Sequence, residues 1–292
     1  RRWRSVGQIF GVGALCAIAS GRVAASRAFS ALRPSVRLGG GARSSPGTPL
    51  SSPLARGRST LPPGLRRFTA QRALTFGDLF GSKPTEGHDS TVIWLHGLGD
   101  TGRGWAGMVP QLAPQLPGTR FLFPTAPTQP VTVNMGMSMP SWFDINSLEP
   151  SLFELDPPGL QASIDYVQDL VQGEIESGIQ PERIVLVGFS QGGAVVVGAA
   201  VSSPYQVGGV LMLSTFLAST LPAAPRTVPV HFFHGARDQV VPMDWGERSR
   251  ASLEAAGLKC TLRTYPSMQH GSCEAEISDI AETLATILSL GK

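Results

Sequence analysis

A serine between two glycines is the residue of this 292-residue chain best suited to covalent chemistry. It is Ser190, in the segment Gly188-Phe189-Ser190-Gln191-Gly192, between an apolar run and a run of small residues. A serine hydroxyl attacks a carbonyl only when it is held exposed, gives its proton to a base and creates an oxyanion that is stabilised. Flanking glycines permit the strand-turn-helix geometry that holds such a serine. An ordinary turn serine is the alternative that the rest of the chain must exclude.

The base that would take the proton of Ser190 must be one of three later histidines. In the strand-turn-helix arrangement an acid and then a histidine follow the serine along the chain. His231 and His234 lie within or at the tip of an apolar run, ahead of every candidate acid. Only His270 comes late, in a polar loop after a strand pattern. We therefore predict that His270 is the base.

Two aspartates compete for the role of the acid that orients the histidine. Asp238 follows the apolar run 230–234 by four residues, which predicts a place at the carboxyl edge of a sheet, where such sites assemble. Asp244 instead suits the N-terminal turn of a helix. We predict that Ser190 attacks, that His270 takes and returns the proton, and that Asp238 fixes the imidazole tautomer.

The oxyanion would need backbone N–H donors. One is expected from Gln191, the residue after the nucleophile, at the start of its helix. The other is expected from Leu98, in the glycine-rich loop that follows an early apolar run, His96-Gly97-Leu98-Gly99-Asp100. We interpret His96 as a structural residue that braces this loop.

Apolar runs that alternate with helical patterns must position these residues. Strands are predicted at 91–95, 120–123, 184–187, 207–213, 230–234 and 258–265, and helices at 159–177, 243–256 and 273–290. Such alternation predicts an α/β protein with a mostly parallel sheet and helices on both faces. The long connection 128–158 is predicted to be a loop. The sequence shows no metal site, phosphate-binding loop or dinucleotide fingerprint, so no cofactor is expected.

Several motifs together resemble the acyl-protein thioesterase, or lysophospholipase-like carboxylesterase, family over residues 90–288. They are His96-Gly97-Leu98-Gly99-Asp100-Thr101-Gly102, Pro124-Thr125-Ala126-Pro127, Met139-Pro140-Ser141-Trp142-Phe143-Asp144, Gly188-Phe189-Ser190-Gln191-Gly192-Gly193, and His234-Gly235 through Val241-Pro242. The resemblance implies an α/β-hydrolase fold without a large cap domain. It also implies hydrolysis of acyl thioesters on protein cysteines, or of lysophospholipids and carboxylic esters. The triad and oxyanion-hole residues implied by the family are the five named above.

An acyl chain needs an apolar slot beside the nucleophile. The connection 128–158 supplies candidates for its wall, of which we select Met135, Met137, Trp142, Leu152 and Phe153. Methionines adapt to a mobile acyl tail. Plain core packing is the alternative for each residue, and for Trp142 in particular. A non-catalytic ligand-binding relative of the hydrolases is a further alternative, although this chain keeps all three triad residues.

Charge divides the chain into two parts. Residues 1–77 hold 13 Arg and no Asp or Glu, which leaves 11 basic and 21 acidic side chains in the remainder. We predict a disordered targeting leader over 1–85 for a plastid or a mitochondrion, and a catalytic domain over 86–292. A bipartite leader, in which a signal peptide precedes the transit peptide, and a cytoplasmic protein with a disordered tail are the alternatives. Because the chain begins with Arg, its natural start is expected further upstream.

The acidic balance of the predicted domain disfavours nucleic acid as a partner. Three cysteines do not form a disulfide framework. The expected partners are an acylated protein or a lysophospholipid or ester substrate, with a transient contact to a membrane surface.

Overall fold

The computed structural model describes residues 74–147, 157–218, 221–222 and 225–290. Seven strands form one sheet in the order β1-β3-β2-β6-β7-β8-β9, in which β1 pairs antiparallel with β3 and every other pairing is parallel. The strands of this sheet are β1 (Leu79–Gly81), β2 (Ser90–Leu95), β3 (Thr119–Pro124), β6 (Ile184–Phe189), β7 (Gly209–Leu213), β8 (Val230–Gly235) and β9 (Cys260–Tyr265). The predicted mostly parallel sheet is therefore confirmed.

Helices cover both faces of the sheet. They are α1 (Gly102–Ala106), α2 (Val109–Leu112), α3 (Pro157–Glu176), α4 (Gln191–Ser202), α5 (Met243–Ala255) and α6 (Glu274–Leu290). The three helices predicted from periodicity, now α3, α5 and α6, begin and end within two residues of the predicted bounds. Among the described helices, none is both long enough and apolar enough to cross a membrane.

Side-chain alternation along the central strands divides the core into two layers. On β6, Ile184 and Leu186 pack with α3 and α4, whereas Val185 and Val187 pack with α1, α2 and α6. Successive strand side chains point to opposite faces, and here both faces are covered. This explains why the central strands are continuous apolar runs in the sequence.

The connection predicted as a loop over 128–158 contains a β-hairpin instead. Its strands are β4 (Thr128–Val131) and β5 (Met137–Pro140), which pair antiparallel. Pro130 and Pro140 lie within them, and proline cannot donate to a strand ladder, so the sequence pattern favoured a loop. The prediction of an unstructured connection was wrong for this part. Residues 148–156 lie outside the described ranges.

The folded domain begins before the predicted boundary at residue 86. Strand β1 hydrogen-bonds along β3, and the Phe76 ring stacks on the Tyr166 ring of α3 at 3.7 Å between centroids. A three-residue strand is too short to produce a periodic signal. The remainder of the predicted leader, residues 1–73, lies outside the described residues.

The strand order reverses between β2 and β6. The chain passes from β2 to β3 on one side and then crosses to β6 on the other. Ligands of open α/β sheets bind beyond the carboxyl ends of the strands at such a switch point. The loops that follow β2 and β6 carry His96–Leu98 and Ser190, respectively.

Candidate active site

Ser190 occupies a strained turn between β6 and α4. Its backbone has φ 52° and ψ −121°, a region that residues with side chains rarely adopt. A Cβ on Gly188 would lie 2.5 Å from the backbone of Gly192, and a Cβ on Gly192 would lie 2.6 Å from the His96 carbonyl oxygen. Both flanking glycines are therefore required by close backbone approach. The turn leaves Ser190 in the position of a nucleophile at the carboxyl edge of the sheet.

His270 lies between Ser190 and Asp238 and contacts both. Its Nε2 is 3.0 Å from Ser190 Oγ, and its Nδ1 is 2.8 Å from Asp238 Oδ2. A carboxylate accepts hydrogen bonds, so Nδ1 carries the proton and Nε2 is free to accept from the serine hydroxyl. The structure thus brings together the three residues that the sequence separates by 48 and 32 positions. This arrangement can transfer a proton from Ser190 to His270.

Asp238 is fixed by its own loop. Its Oδ1 accepts from the backbone N–H groups of Val240 and Val241, each at 2.9 Å, so Oδ2 is left for His270. The Arg237 N–H donates to the Met268 carbonyl at 3.0 Å, which joins this loop to the one that carries His270. Asp244, the rival acid, forms an exposed ion pair with Arg248 on α5. The two loops therefore hold Asp238 and His270 as a pair.

A second histidine lies behind the acid. His234, at the end of β8, is fully buried, and its Nε2 donates to the Val241 carbonyl at 2.8 Å. Burial lowers the pKa of His234, so it is neutral and buttresses the turn from Asp238 to Val241. The same nitrogen is 3.7 Å from Asp238 Oδ2. Sequence reasoning rejected His234 as the base but missed this supporting role, although its place at the strand end was a signal.

The predicted oxyanion donors belong to segments beside Ser190: Gln191 follows it directly, and a Cβ on Gly97, next to Leu98, would lie 3.3 Å from Ser190 Cβ. Gln191 begins α4, so its backbone N–H has no acceptor within the helix. Leu98 follows β2 in the loop whose Gly99 N–H donates to the Pro140 carbonyl at 2.8 Å. The hairpin β4–β5 is therefore attached to this loop through the end of β5.

The Gln191 side chain fastens the segment after the hairpin to α4. Its Oε1 accepts from the Trp142 N–H at 2.9 Å, and its Nε2 donates to the Phe143 carbonyl at 2.7 Å. The Trp142 indole N–H donates to the His96 carbonyl at 2.8 Å. The loop after β2, the start of α4 and residues 141–143 consequently form one hydrogen-bonded unit.

The predicted acyl-slot residues separate into three groups. Trp142 has no exposed surface, so it braces the site and does not line an open slot, which corrects its predicted role. Met135 and Met137, at the tip of the hairpin, are 90% and 58% exposed. Leu152 and Phe153 lie outside the described residues. Within the described ranges, no cluster of three or more His, Cys, Asp or Glu side chains could hold a metal ion.

A family model for phospholipases and carboxylesterases matches residues 80–288. The chain belongs to the phospholipase/carboxylesterase family. The matched range begins within β1, in agreement with the start of the folded domain.

Members of the phospholipase/carboxylesterase family that resemble this chain include named thioesterases. It is 42% identical over 207 residues to acyl-protein thioesterase 1 of Gibberella zeae, covering 66% of this chain and 88% of that protein. It is 37% identical to acyl-protein thioesterase 1 of Cryptococcus neoformans, covering 70% of this chain and 95% of that protein. The crystal structure of Zea mays acyl-protein thioesterase 2 superimposes with a TM-score of 0.64 at 27% identity, covering 73% of this chain and 99% of that one. The predicted family and α/β-hydrolase fold are confirmed, and the chain is a serine hydrolase of acyl esters or thioesters.

Proposed function

We propose that this serine hydrolase removes long acyl chains from protein cysteines, with Ser190 as the nucleophile. The hydrogen-bonded series from Ser190 Oγ through His270 to Asp238 Oδ2 carries the proposal, since it is the arrangement that acyl transfer through a serine requires. The relatives named acyl-protein thioesterases support a thioester of an acylated protein as the substrate.

In the first half-reaction, Ser190 Oγ attacks the acyl carbonyl carbon while His270 Nε2 takes the hydroxyl proton. The negative charge that develops on the carbonyl oxygen is stabilised by the N–H groups of Leu98 and Gln191. Asp238 stabilises the imidazolium through its short contact with Nδ1. Collapse of the tetrahedral intermediate breaks the bond from carbon to sulfur, and His270 returns the proton to the departing thiolate. The acyl group then remains as an ester on Ser190.

In the second half-reaction, water hydrolyses this ester. His270 Nε2 accepts a proton from the water as its oxygen attacks the acyl carbon, and the same two N–H groups bind the new oxyanion. Collapse returns the proton to Ser190 Oγ and releases a fatty acid. Each half-reaction therefore uses the same base, and the enzyme ends in its initial protonation state.

We propose further that Met135 and Met137 contact the acyl chain of long substrates. Two exposed methionines on one hairpin tip offer an adaptable apolar surface. The Gly99 to Pro140 hydrogen bond connects this hairpin to the Leu98 loop. The same surface is suited to a transient contact with a membrane, where acylated proteins reside. Binding of the double variant Met135→Ser/Met137→Ser to vesicles, measured against the parent chain, tests that contact.

A substrate panel on the purified full-length chain tests the proposed function. The panel contains a palmitoylated peptide thioester, a lysophospholipid, and p-nitrophenyl esters of four and sixteen carbons. We expect the thioester and the long ester to have the highest kcat/KM, and Ser190→Ala to lower each by about 10⁴-fold or more. A preference for the lysophospholipid would replace the proposed substrate class. Full activity of Ser190→Ala would refute the assignment of the nucleophile.

We also propose that residues 1–73, which precede the folded domain, direct import into a plastid or a mitochondrion, because they contain 13 Arg and no Asp or Glu. A fluorescent fusion of residues 1–73 tests this directly. Fluorescence that stays in the cytosol would contradict it.

A further inference from the structure

Each proposed oxyanion donor belongs to a peptide unit whose carbonyl end is held by a side chain. The Gln191 N–H shares its peptide unit with the Ser190 carbonyl, and the Leu98 N–H shares its unit with the Gly97 carbonyl. We infer that Thr215 and His96 are positioning residues that orient these two N–H groups by hydrogen-bonding to the opposite ends of the same peptide units. This inference rests on the proposed function and adds to it two residues that never contact the substrate.

Thr215 holds the peptide unit that contains the Gln191 donor. Its hydroxyl is fully buried and donates to the Ser190 carbonyl oxygen, which also accepts from the Gly193 N–H at 3.0 Å. In a trans peptide the C=O and N–H bonds point in opposite directions. Fixing the Ser190 carbonyl from inside the protein therefore aims the Gln191 N–H outward, toward the position of the oxyanion.

The backbone around Thr215 is arranged for this contact. The Ser190 N–H donates to the Leu213 carbonyl at 2.9 Å, so the ends of β6 and β7 are joined beside the nucleophile. Ser214 then adopts φ 44°, a rare conformation for a residue with a side chain, and the chain turns at this point. A Cβ on Gly193 would lie 2.5 Å from Thr215 Cγ2. The glycine that follows the five-residue serine motif thus leaves room for the threonine.

His96 does the same for the peptide unit that contains the Leu98 donor. The Ala126 N–H donates to His96 Nε2 at 3.0 Å, which places the ring proton on Nδ1. Nδ1 then donates to the Gly97 carbonyl at 2.7 Å. Burial lowers the pKa of His96 to about 4, so the ring stays neutral and the tautomer is fixed at neutral pH.

The two peptide units are bonded in the same way. The Gly97 carbonyl accepts a second hydrogen bond from the Asp100 N–H at 3.2 Å, three residues later, as the Ser190 carbonyl does from Gly193. Each carbonyl therefore has one side-chain donor and one backbone donor from a turn. A donor at the carbonyl also polarises the peptide unit, which strengthens its N–H as a hydrogen-bond donor. Orientation and polarisation of the N–H both act on the oxyanion, which exists only after the attack, so they stabilise the transition state more than the bound substrate.

The variant Thr215→Val tests the role of Thr215, since valine keeps the shape of the side chain and removes its hydroxyl. We expect kcat/KM, normalised to the fraction of sites titrated by a fluorophosphonate, to fall about 3- to 10-fold, the worth of one hydrogen bond. Thr215→Ser restores the hydroxyl and should recover most of the loss. Thr283→Val is the matched control, because it removes another threonine-to-carbonyl bond, on α6 and outside the site.

Inhibitor binding distinguishes positioning from general structural support. A trifluoromethyl ketone forms an oxyanion on Ser190, whereas an ether analogue of the ester cannot. We expect Thr215→Val to weaken the ketone by the same factor as kcat/KM and to leave binding of the ether unchanged. Equal weakening of both inhibitors, or a Thr215→Val enzyme as active as the parent, would overturn the inference.

Two substitutions separate the two nitrogens of His96. Asparagine can place its amide donor near the position of Nδ1, while glutamine reaches the position of Nε2 and leaves the Gly97 carbonyl without its side-chain donor. We expect His96→Asn to keep more kcat/KM per titrated site than His96→Gln, and the reverse order would count against the inference. Loss of activity in Ser190→Ala, together with a Thr215→Val enzyme as active as the parent, would reject this inference while sparing the proposed function.

Discussion

Replacement of Asp238 by asparagine exchanges one oxygen of the site for an NH₂ group, and the structure shows why the loss of activity should be severe. Asp238 Oδ1 accepts two backbone N–H groups, from Val240 and Val241, and Oδ2 accepts from His270 Nδ1. If the asparagine oxygen keeps the two N–H partners, its NH₂ group faces Nδ1. Nδ1 must then become an acceptor, so the ring proton moves to Nε2 and His270 can no longer accept the proton of Ser190.

The opposite orientation of the asparagine amide does not rescue the site. It would turn the NH₂ group toward the two backbone donors and forfeit both hydrogen bonds, a cost of about 1–3 kcal/mol or more. The inactive tautomer is therefore preferred. The known cost of the wrong histidine tautomer in a triad is about 10⁴ in kcat, and we expect a loss of this order.

Ester hydrolysis at pH 7.5, normalised to folded protein, measures the effect. Asp244→Asn is the matched control, since Asp244 forms only an exposed pair with Arg248, and such pairs contribute well under about 1 kcal/mol. We expect less than a twofold change for the control. An Asp238→Asn enzyme that keeps a tenth of the parent activity, or one no worse than Asp244→Asn, would refute the assignment of the acid.

Three further predictions concern the support of the site. Burial raises the pKa of Glu276 from its ordinary value of 4.5 to about 8, so the folded state holds a proton that the unfolded chain has lost, and stability falls as the pH rises between these two values. In urea unfolding, Glu276→Gln should therefore stabilise the protein by about 4 kcal/mol at pH 9 but little at pH 4.5. A difference that does not change with pH would contradict this. Gln191→Glu replaces the amide donor to the Phe143 carbonyl by an acceptor and should lower the free energy of unfolding by about 1–3 kcal/mol. An unchanged denaturation midpoint would show that this hydrogen bond does not contribute to stability. A chain that begins at residue 86 lacks β1, and its free energy of unfolding should be lower by about 3 kcal/mol than that of a chain that begins at residue 74, because the hydrogen bonds along β3 are lost. Its Tm should be lower accordingly, and equal Tm values would show that β1 is dispensable.

The meeting of Ser190, His270 and Asp238 could be predicted because the proposed mechanism constrains their order and placement. Ser190 and Asp238 follow β6 and β8, which are buried and can be read directly as apolar runs. His270 follows the edge strand β9, which is partly exposed, so its place rests on chain order. Leu98 and Gln191 could be proposed as donors for the same reason, since oxyanion donors occupy fixed places relative to the nucleophile. What could be predicted was therefore what the chemistry itself requires.

His96 was expected to brace its loop, but the contacts through which the supporting residues act could not be predicted, because they arise only in three dimensions. The tautomer of His96 depends on the Ala126 N–H, thirty residues away. Thr215 belongs to no motif, and its contact with the turn at Ser190 depends on the pairing of β6 with β7. Glu276 resembles an ordinary acid in the first turn of a helix, yet packing of α6 buries it completely.

The strain at the site is supported by the sheet beneath it. Ser190 and Ser214, at the ends of neighbouring strands, both have positive φ values, and such residues cost about 1–3 kcal/mol each. The strands that hold them are buried except for the partly exposed Phe189, and a single buried side chain such as Leu186 contributes about 1.5–3 kcal/mol. Burial of these strands therefore holds the two strained turns in place. It follows that small substitutions at the strand ends should change the rate more than the fold, which is why Thr215→Val can report on catalysis alone.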